Sequence, residues 1–90
     1  MSSHPTNFQG SVVDALRQAI ETAIPDAQAT VNGGGGHFTI EVVSSAFAGK
    51  SLIEQHQLVY RALGDAMHGP IHALALKTYT PEAWAKAQSR

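Results

Sequence analysis

The 90 residues predict an α+β domain in the order αββαβα, a three-stranded sheet with helices packed on one face. Three observations lead there. Apolar residues recur every four positions over Val12, Leu16, Ile20 and Ile24, the spacing of one helix face. They alternate through Ala27, Ala29 and Val31, through Phe38, Ile40 and Val42, and again from Ile71 to Thr78, the spacing of strands. Gly or Pro stands wherever one period gives way to another. Helices and strands that must cover their apolar faces settle in layers, and three short strands with intervening helices make one such pair of layers.

In chain order, residues 1–10 read as a loose leader rich in Ser, Pro, Asn and Gly, and residues 11–90 as a single domain. Ser11 caps the expected first helix, Asp14 adds a carboxylate to its first turn, and Pro25 stops it. The weak, alanine-rich first strand follows. Asn32 to Gly36 forms the turn of an antiparallel hairpin, and Phe38, Ile40 and Val42 carry the second strand. Gly49 breaks the segment after Val43. Ser51 then caps a second helix whose Leu52, His56, Val59, Tyr60, Leu63 and Met67 lie along one side. Gly69-Pro70 closes that helix. On the third strand His72, Leu74, Leu76 and Thr78 share one face, and Ile71, Ala73 and Ala75 the other. Thr80, Pro81 and Glu82 supply cap, first-turn proline and first-turn acid to a last helix anchored by Trp84.

Composition narrows the function classes. A 90-residue chain buries roughly 60–65% of its unfolded surface, so its core is modest. The formal charge of −1 supplies no basic field for non-specific phosphate binding. Absence of cysteine excludes disulfides and cysteinyl zinc sites. The first residues lack the charged and apolar regions of a signal peptide, and no run reaches membrane-spanning length, so a soluble cytoplasmic protein with no membrane partner is expected. There is no Ser-His-Asp spacing, no HExxH and no Walker loop, and the expectation is a non-enzyme.

Histidine is left as the side chain that can donate to a metal and change charge near neutral pH. His72, at the mouth of the third strand, is the first candidate, against the plainer reading that it hydrogen-bonds a neighbouring backbone group. His37 follows the glycine run and alternates opposite Phe38, Ile40 and Val42, so it points away from the face they bury. His56 is expected to be packed and hydrogen-bonded. His68 sits near the second helix's C-terminus, where an imidazolium suits the dipole. His4 falls in the leader. For nucleic acid, the best-placed segment is Gly49, Lys50 and Ser51, where helix N–H groups and an ammonium can receive a phosphate. Gly33 to Gly36 contains a G-x-x-G, but in a hairpin and not between two helices.

Four motifs carry a resemblance: the His37-Phe38 opening of the second strand, F-x-G-K-S-L at Phe47 to Leu52, H-x-x-V-Y at His56 to Tyr60, and I-H-A-L-x-L-K-T-Y-T-P-x-x-W at Ile71 to Trp84. Over Gly36 to Trp84, more than half of the chain, the sequence resembles the BolA family, especially its short bacterial, IbaG-like branch. The resemblance implies a fold related to class II KH domains. It also implies a partner, a monothiol glutaredoxin with a CGFS motif, and a two-iron, two-sulfur cluster held jointly with that partner and glutathione. In the family the histidine of I-H-A-L is a cluster ligand, which carries over to His72. Relatives often place a second donor, Cys or His, in the loop between the first two strands. Here that loop is NGGGG, so either His37 supplies the second donor or His72 acts alone and solvent or glutathione completes the site. Iron trafficking, iron sensing and stress response are the associated roles, with homodimerisation of the cluster-free protein. Helix-turn-helix activity in longer relatives keeps a nucleic-acid-binding transcriptional regulator as the alternative.

Overall fold

The computed structural model describes residues 8–89. Residues 1–7 of the expected leader, and with them His4, lie outside the described residues. The first helix, α1 (Phe8–Ala23), begins three residues before Ser11. Ser11 is therefore inside the helix and does not cap it, and Asp14 lies beyond the first turn, which holds no acid. The four-residue apolar spacing located the helix but not its start, because no strong stop signal precedes Val12. Leu16, Ile20 and Ile24 are buried as that spacing requires.

Two antiparallel strands follow, β1 (Gln28–Gly34) and β2 (His37–Val43), paired from Gln28 opposite Val43 to Gly34 opposite His37. The expected turn over Asn32 to Gly36 narrows to Gly35-Gly36, at φ 62° and 88°. Two successive positive φ values are what a tight primed hairpin turn demands, so the strands run closer to the tip than the glycine content suggested. Gly33, at φ 133°, lies opposite Phe38. A Cβ there would stand 2.2 Å from the His37 carbonyl oxygen and 2.8 Å from Phe38 Cα.

A one-turn 3-10 helix (Ser45–Phe47) inserts Phe47 into the core and leads to α2 (Leu52–Leu63). Ser51 caps α2 as expected, and the cap is a full capping box: Ser51 Oγ accepts from Glu54 N, and Ser51 N donates to Glu54 Oε1 at 2.9 Å. The buried face of α2 is rotated from the expected stripe. Val59 and Leu63 are buried and Met67 packs against the core, but Leu52 and Tyr60 face outward. Their place is taken by Leu58 and Ala62, which lean on the core. The sequence offered apolar residues on both sides of this helix, and contact with the sheet selected one.

A second 3-10 stretch (Gly64–His68) continues to β3 (Ala73–Tyr79), which runs parallel to β2 from Ala73 beside His37 to Tyr79 beside Val43. The strand order is β1-β2-β3. A parallel neighbour requires a crossover, and α2 provides it, so the sheet is mixed. α1 and α2 cover the face that carries Phe38, Ile40 and Val42. Finally α3 (Pro81–Gln88) starts on its Thr80 cap and Pro81, and Trp84 meets Tyr79 edge to face at 5.1 Å. α3 buries no residue of its own.

Candidate functional site

The candidate site lies at the hairpin end of the sheet, where the Gly35-Gly36 turn, the first residue of β2 and the approach to β3 converge. His72 is not part of β3. It occupies a bend just before Ala73, exposed, while Ile71 is buried with the core. His72 is thus more exposed than Leu74 and Leu76, with which the alternation groups it. The cause is in the backbone: His72 N and Ala73 N both donate to Gly36 O, at 2.7 and 2.9 Å. Two successive donors on one acceptor resemble a bulge, which resets the alternation by one residue. Ile71 is buried there and His72 is exposed.

Gly36 holds that ring in a second way. A Cβ on Gly36 would stand 2.3 Å from His72 Cδ2, 3.0 Å from Cγ and 3.3 Å from Cβ. The imidazole therefore lies in space that any other residue at position 36 would fill. His37 is the next residue along and is exposed on the open sheet face, away from buried Phe38. Its register partner is Ala73, the neighbour of His72, so both histidines lie within one residue of a single rung of the sheet. A shallow groove on that open face, lined by His37, Thr39, Ala73 and Ala75, begins at this rung. On the other side of the glycine turn, Val12, Gly34, Gly35, Gly36, Phe38 and Pro70 line a small apolar cavity of about 90 Å³.

The donor set is short. Among the described residues no three His, Cys, Asp or Glu side chains come together as a metal site, and the chain has no cysteine. The remaining histidines stand apart from the rung in different ways. His56 is half-buried on α2 with its ring edge-to-face to Tyr60 at 6.2 Å, and the hydrogen bond expected of it is not made to any described residue. His68 is exposed at the end of the 3-10 stretch that follows α2.

Gly49, Lys50 and Ser51 form the N-terminal approach to α2. Gly49 is at φ 76° and Lys50 is exposed. The anion-binding position at this helix start already receives the Glu54 carboxylate, which takes the Ser51 N–H and carries negative charge. Gln55 Nε2 donates to Lys50 O at 3.0 Å and so fixes the loop's exit.

Sequence reasoning missed two features. One is the role of Gly36 against His72; four glycines in a row look like slack, and only the fold shows which of them is excluded from bearing a side chain. The other is a polar clip at the far end of the sheet. Asp26, at φ 48°, accepts from Ser45 N at 3.0 Å and from the Ser45 hydroxyl. Buried Ser44 donates to the Pro25 carbonyl at 2.7 Å and lies 3.0 Å from Asp26 Oδ1. The Ser45 hydroxyl first, then its N–H and the Ser44 hydroxyl, hold the Asp26 carboxyl below its ordinary value of 3.8. The Pro25-Asp26 and Ser44-Ser45 pairs were the available signal, since these residue types favour turns.

Comparison with known proteins gives a consistent answer. The family model described as "BolA-like protein" matches residues 7–83. The chain is 39% identical over 85 residues to BolA-like protein 1 of Mus musculus, covering 83% of this chain but 62% of that protein's length. It is 44% identical over 52 residues to the DNA-binding transcriptional regulator BolA of Vibrio cholerae, covering 58% of this chain and 49% of the regulator. The structure of a bolA protein homologue from Coxiella burnetii superposes with a TM-score of 0.71 at 40% identity, over 80% of this chain and 94% of the homologue.

Proposed function

Since the chain belongs to the BolA family, we propose that it is a non-catalytic adaptor that shares a two-iron, two-sulfur cluster with a CGFS monothiol glutaredoxin and glutathione. The single observation behind this reading is the exposed imidazole of His72, seated against Gly36 one residue from the rung that bears His37, in a chain without any thiolate. A four-ligand cluster cannot be held by two imidazoles, so the missing donors must come from outside. Imidazole in place of thiolate on one iron raises a cluster's reduction potential. His72 would present its ring nitrogen, Gly36 would keep the ring facing outward, and His37 or a small thiol would fill the remaining position. The cluster is cargo, passed on or sensed, and the chain's task is to orient a donor and expose it to the partner.

Mixing the protein with a CGFS glutaredoxin, iron, sulfide and glutathione should shift the visible absorption and circular dichroism away from those of the glutaredoxin homodimer. His72→Ala should lose that shift, and His37→Ala should reduce it if His37 is the second donor. An unchanged heterodimer spectrum for His72→Ala would overturn the ligand role, as would Mössbauer data reporting thiolate coordination alone.

A second reading, nucleic-acid binding, draws support from the named activity of the Vibrio relative. It requires phosphate at Lys50 and the start of α2, against the charge of Glu54. Salt-dependent DNA binding that is lost in Lys50→Ala would favour it.

A further inference from the structure

The outer edge of β3 is open. In the order β1-β2-β3 its only neighbour among the described residues is β2. Ala73 N donates to Gly36 O and Tyr79 O accepts from Ser44 N, so every second residue from Ala73 to Tyr79 directs its backbone groups toward β2. Successive residues of a strand point their N–H and C=O to opposite sides, which leaves those of Leu74, Leu76 and Thr78 directed outward with no strand to meet them. The side chains of Leu74 and Leu76 lean on the core but stay half-buried, while Ala73, Ala75 and Lys77 alternate with them and are exposed. An apolar edge of seven residues is a template for a further strand.

α2 walls the same edge. Round the helix from buried Val59, at about 100° per residue, Leu63, His56, Tyr60 and Ile53 follow on one flank at roughly 40°, 60°, 100° and 120°. Exposure grows in that order: Leu63 is buried, His56 is half-buried, Tyr60 is 41% exposed and Ile53 70%. Gln55, Ala62 and Leu58 lie on the other flank, the last two packed on the core. A right-handed crossover from β2 to β3, the sense such connections take, turns the first flank toward the outer edge of β3 and the second toward α1. The contacts of α2 with both α1 and β3 agree with that placement. Charge then selects the occupant. Both ion pairs among the described residues belong to Arg17, so Lys77 takes part in neither. β3 holds no carboxylate, and a second copy of it would bring another lysine and no acid. We propose that the cleft between the outer edge of β3 and the exposed flank of α2 takes an extended peptide of another protein as a fourth strand, with apolar side chains at alternate positions and a carboxylate between them. The apolar ones pack between Leu74, Leu76 and Tyr60, and the carboxylate meets Lys77 on the opposite face; main-chain bonds hold such a peptide and alternate side chains select it. Lys77 is the one fixed positive charge beside the cleft, too little for a phosphate backbone. Neither His72 nor His37 takes part, so the proposal does not rest on the cluster reading.

The probe is a short synthetic peptide that alternates valine with threonine and carries glutamate in place of its central threonine, titrated into the full chain and followed by NMR. It should shift the amide resonances of Leu74, Leu76 and Thr78 and slow their hydrogen exchange by roughly tenfold or more, because those N–H groups gain partners. The same peptide N-methylated on two adjacent central residues, which blocks both of its edges, should not bind. Tyr60→Ala removes an exposed ring and should weaken binding by roughly tenfold. Lys77→Glu, also at an exposed position, should reverse the preference between the glutamate peptide and its lysine counterpart. Failure of the glutamate peptide to bind at millimolar concentration overturns the proposal. So does equal binding of the N-methylated peptide, or a single-stranded oligonucleotide that produces the β3 shifts where the peptide does not.

Discussion

Replacing Gly36 with Ala, beside the same change at Gly35, measures how far the hairpin tip is shaped around His72. Both residues sit at positive φ, 62° for Gly35 and 88° for Gly36, so each substitution carries a backbone cost of about 1–2 kcal/mol. Around a Cβ at Gly35 nothing lies within 4 Å. At Gly36 the new methyl would overlap His72 Cδ2 at 2.3 Å, and reaching ordinary contact moves the ring by more than an ångström. Forcing that ring off its rotamer adds roughly 0.5–1.5 kcal/mol. Gly35→Ala should therefore cost about 1–2 kcal/mol, and Gly36→Ala roughly 1.5–3.5 kcal/mol. In a domain of this size each kcal/mol lowers Tm by about 4–8 °C, so urea and thermal unfolding resolve the difference. In the His72→Ala background the ring is gone, and Gly36→Ala should cost no more than Gly35→Ala; this double-mutant cycle isolates the contact. The His72 ring resonances should move in Gly36→Ala and stay in place in Gly35→Ala. Equal destabilisation by the two substitutions, with the ring resonances unmoved in both, would refute the idea that Gly36 seats the imidazole.

Three further outcomes follow from the same contacts. Gly33→Ala should be the most damaging glycine substitution of the hairpin, above about 2 kcal/mol, because its Cβ meets backbone of His37 and Phe38 and not a movable side chain; a mild loss in urea unfolding would contradict the register. Asp26→Asn keeps a residue that tolerates left-handed φ, removes the charge and exchanges one of the two acceptor oxygens for an NH2 donor. The folded-state pKa of Asp26 is depressed, so its contribution is fully present above the unfolded value near 3.8 and is lost as pH falls through the lower folded value. Wild type should then exceed Asp26→Asn in urea midpoint at neutral pH, with the gap closing in acid; a gap independent of pH would remove the carboxylate from the clip. Ser51→Ala should cost about 1 kcal/mol by breaking the capping box, read as a lower Tm with the far-UV spectrum retained at low temperature.

Apolar spacing and turn residues were enough to find the three α-helices and the three strands, though not the two 3-10 stretches, and the caps of α2 and α3 at Ser51 and Thr80 were legible to the residue because a cap acts within a few positions of itself. What could not be read depended on contacts distant in sequence. The start of α1 was misplaced for want of a local stop signal. The buried side of α2 was ambiguous because Leu52, Tyr60, Val59 and Leu63 are all apolar, and only the sheet decides among them. At His72 a period-two pattern was extended one residue too far; the bend there is imposed by Gly36 O, thirty-six positions upstream, which no local rule contains. The candidate site was therefore half legible. The histidines were identifiable by residue type and motif, whereas their convergence on one rung required the parallel pairing of β2 and β3.

The two ends of the sheet are held by different means, and the difference bears on what the site can do. At the end away from the glycine turn, side chains make the links: Ser44 and Ser45 to the Pro25-Asp26 loop, Thr78 to Gln55 at 2.6 Å, and Tyr79 to Trp84. At the histidine end the connections are backbone bonds to Gly36 O and from Ile71 N to Ala66 O, with exposed side chains around them. Apolar packing reaches this end through Ile71 and Phe38 and stops there. Local opening is easiest where few buried side chains are lost, so the free energy needed to adjust the ring of His72 is small compared with that of disturbing the sheet. On the proposed reading His72 would gain from that arrangement, since its frame is rigid at one end and its last ångström of placement would be left to the partner. A histidine buried in the core would be better packed and unable to make that adjustment.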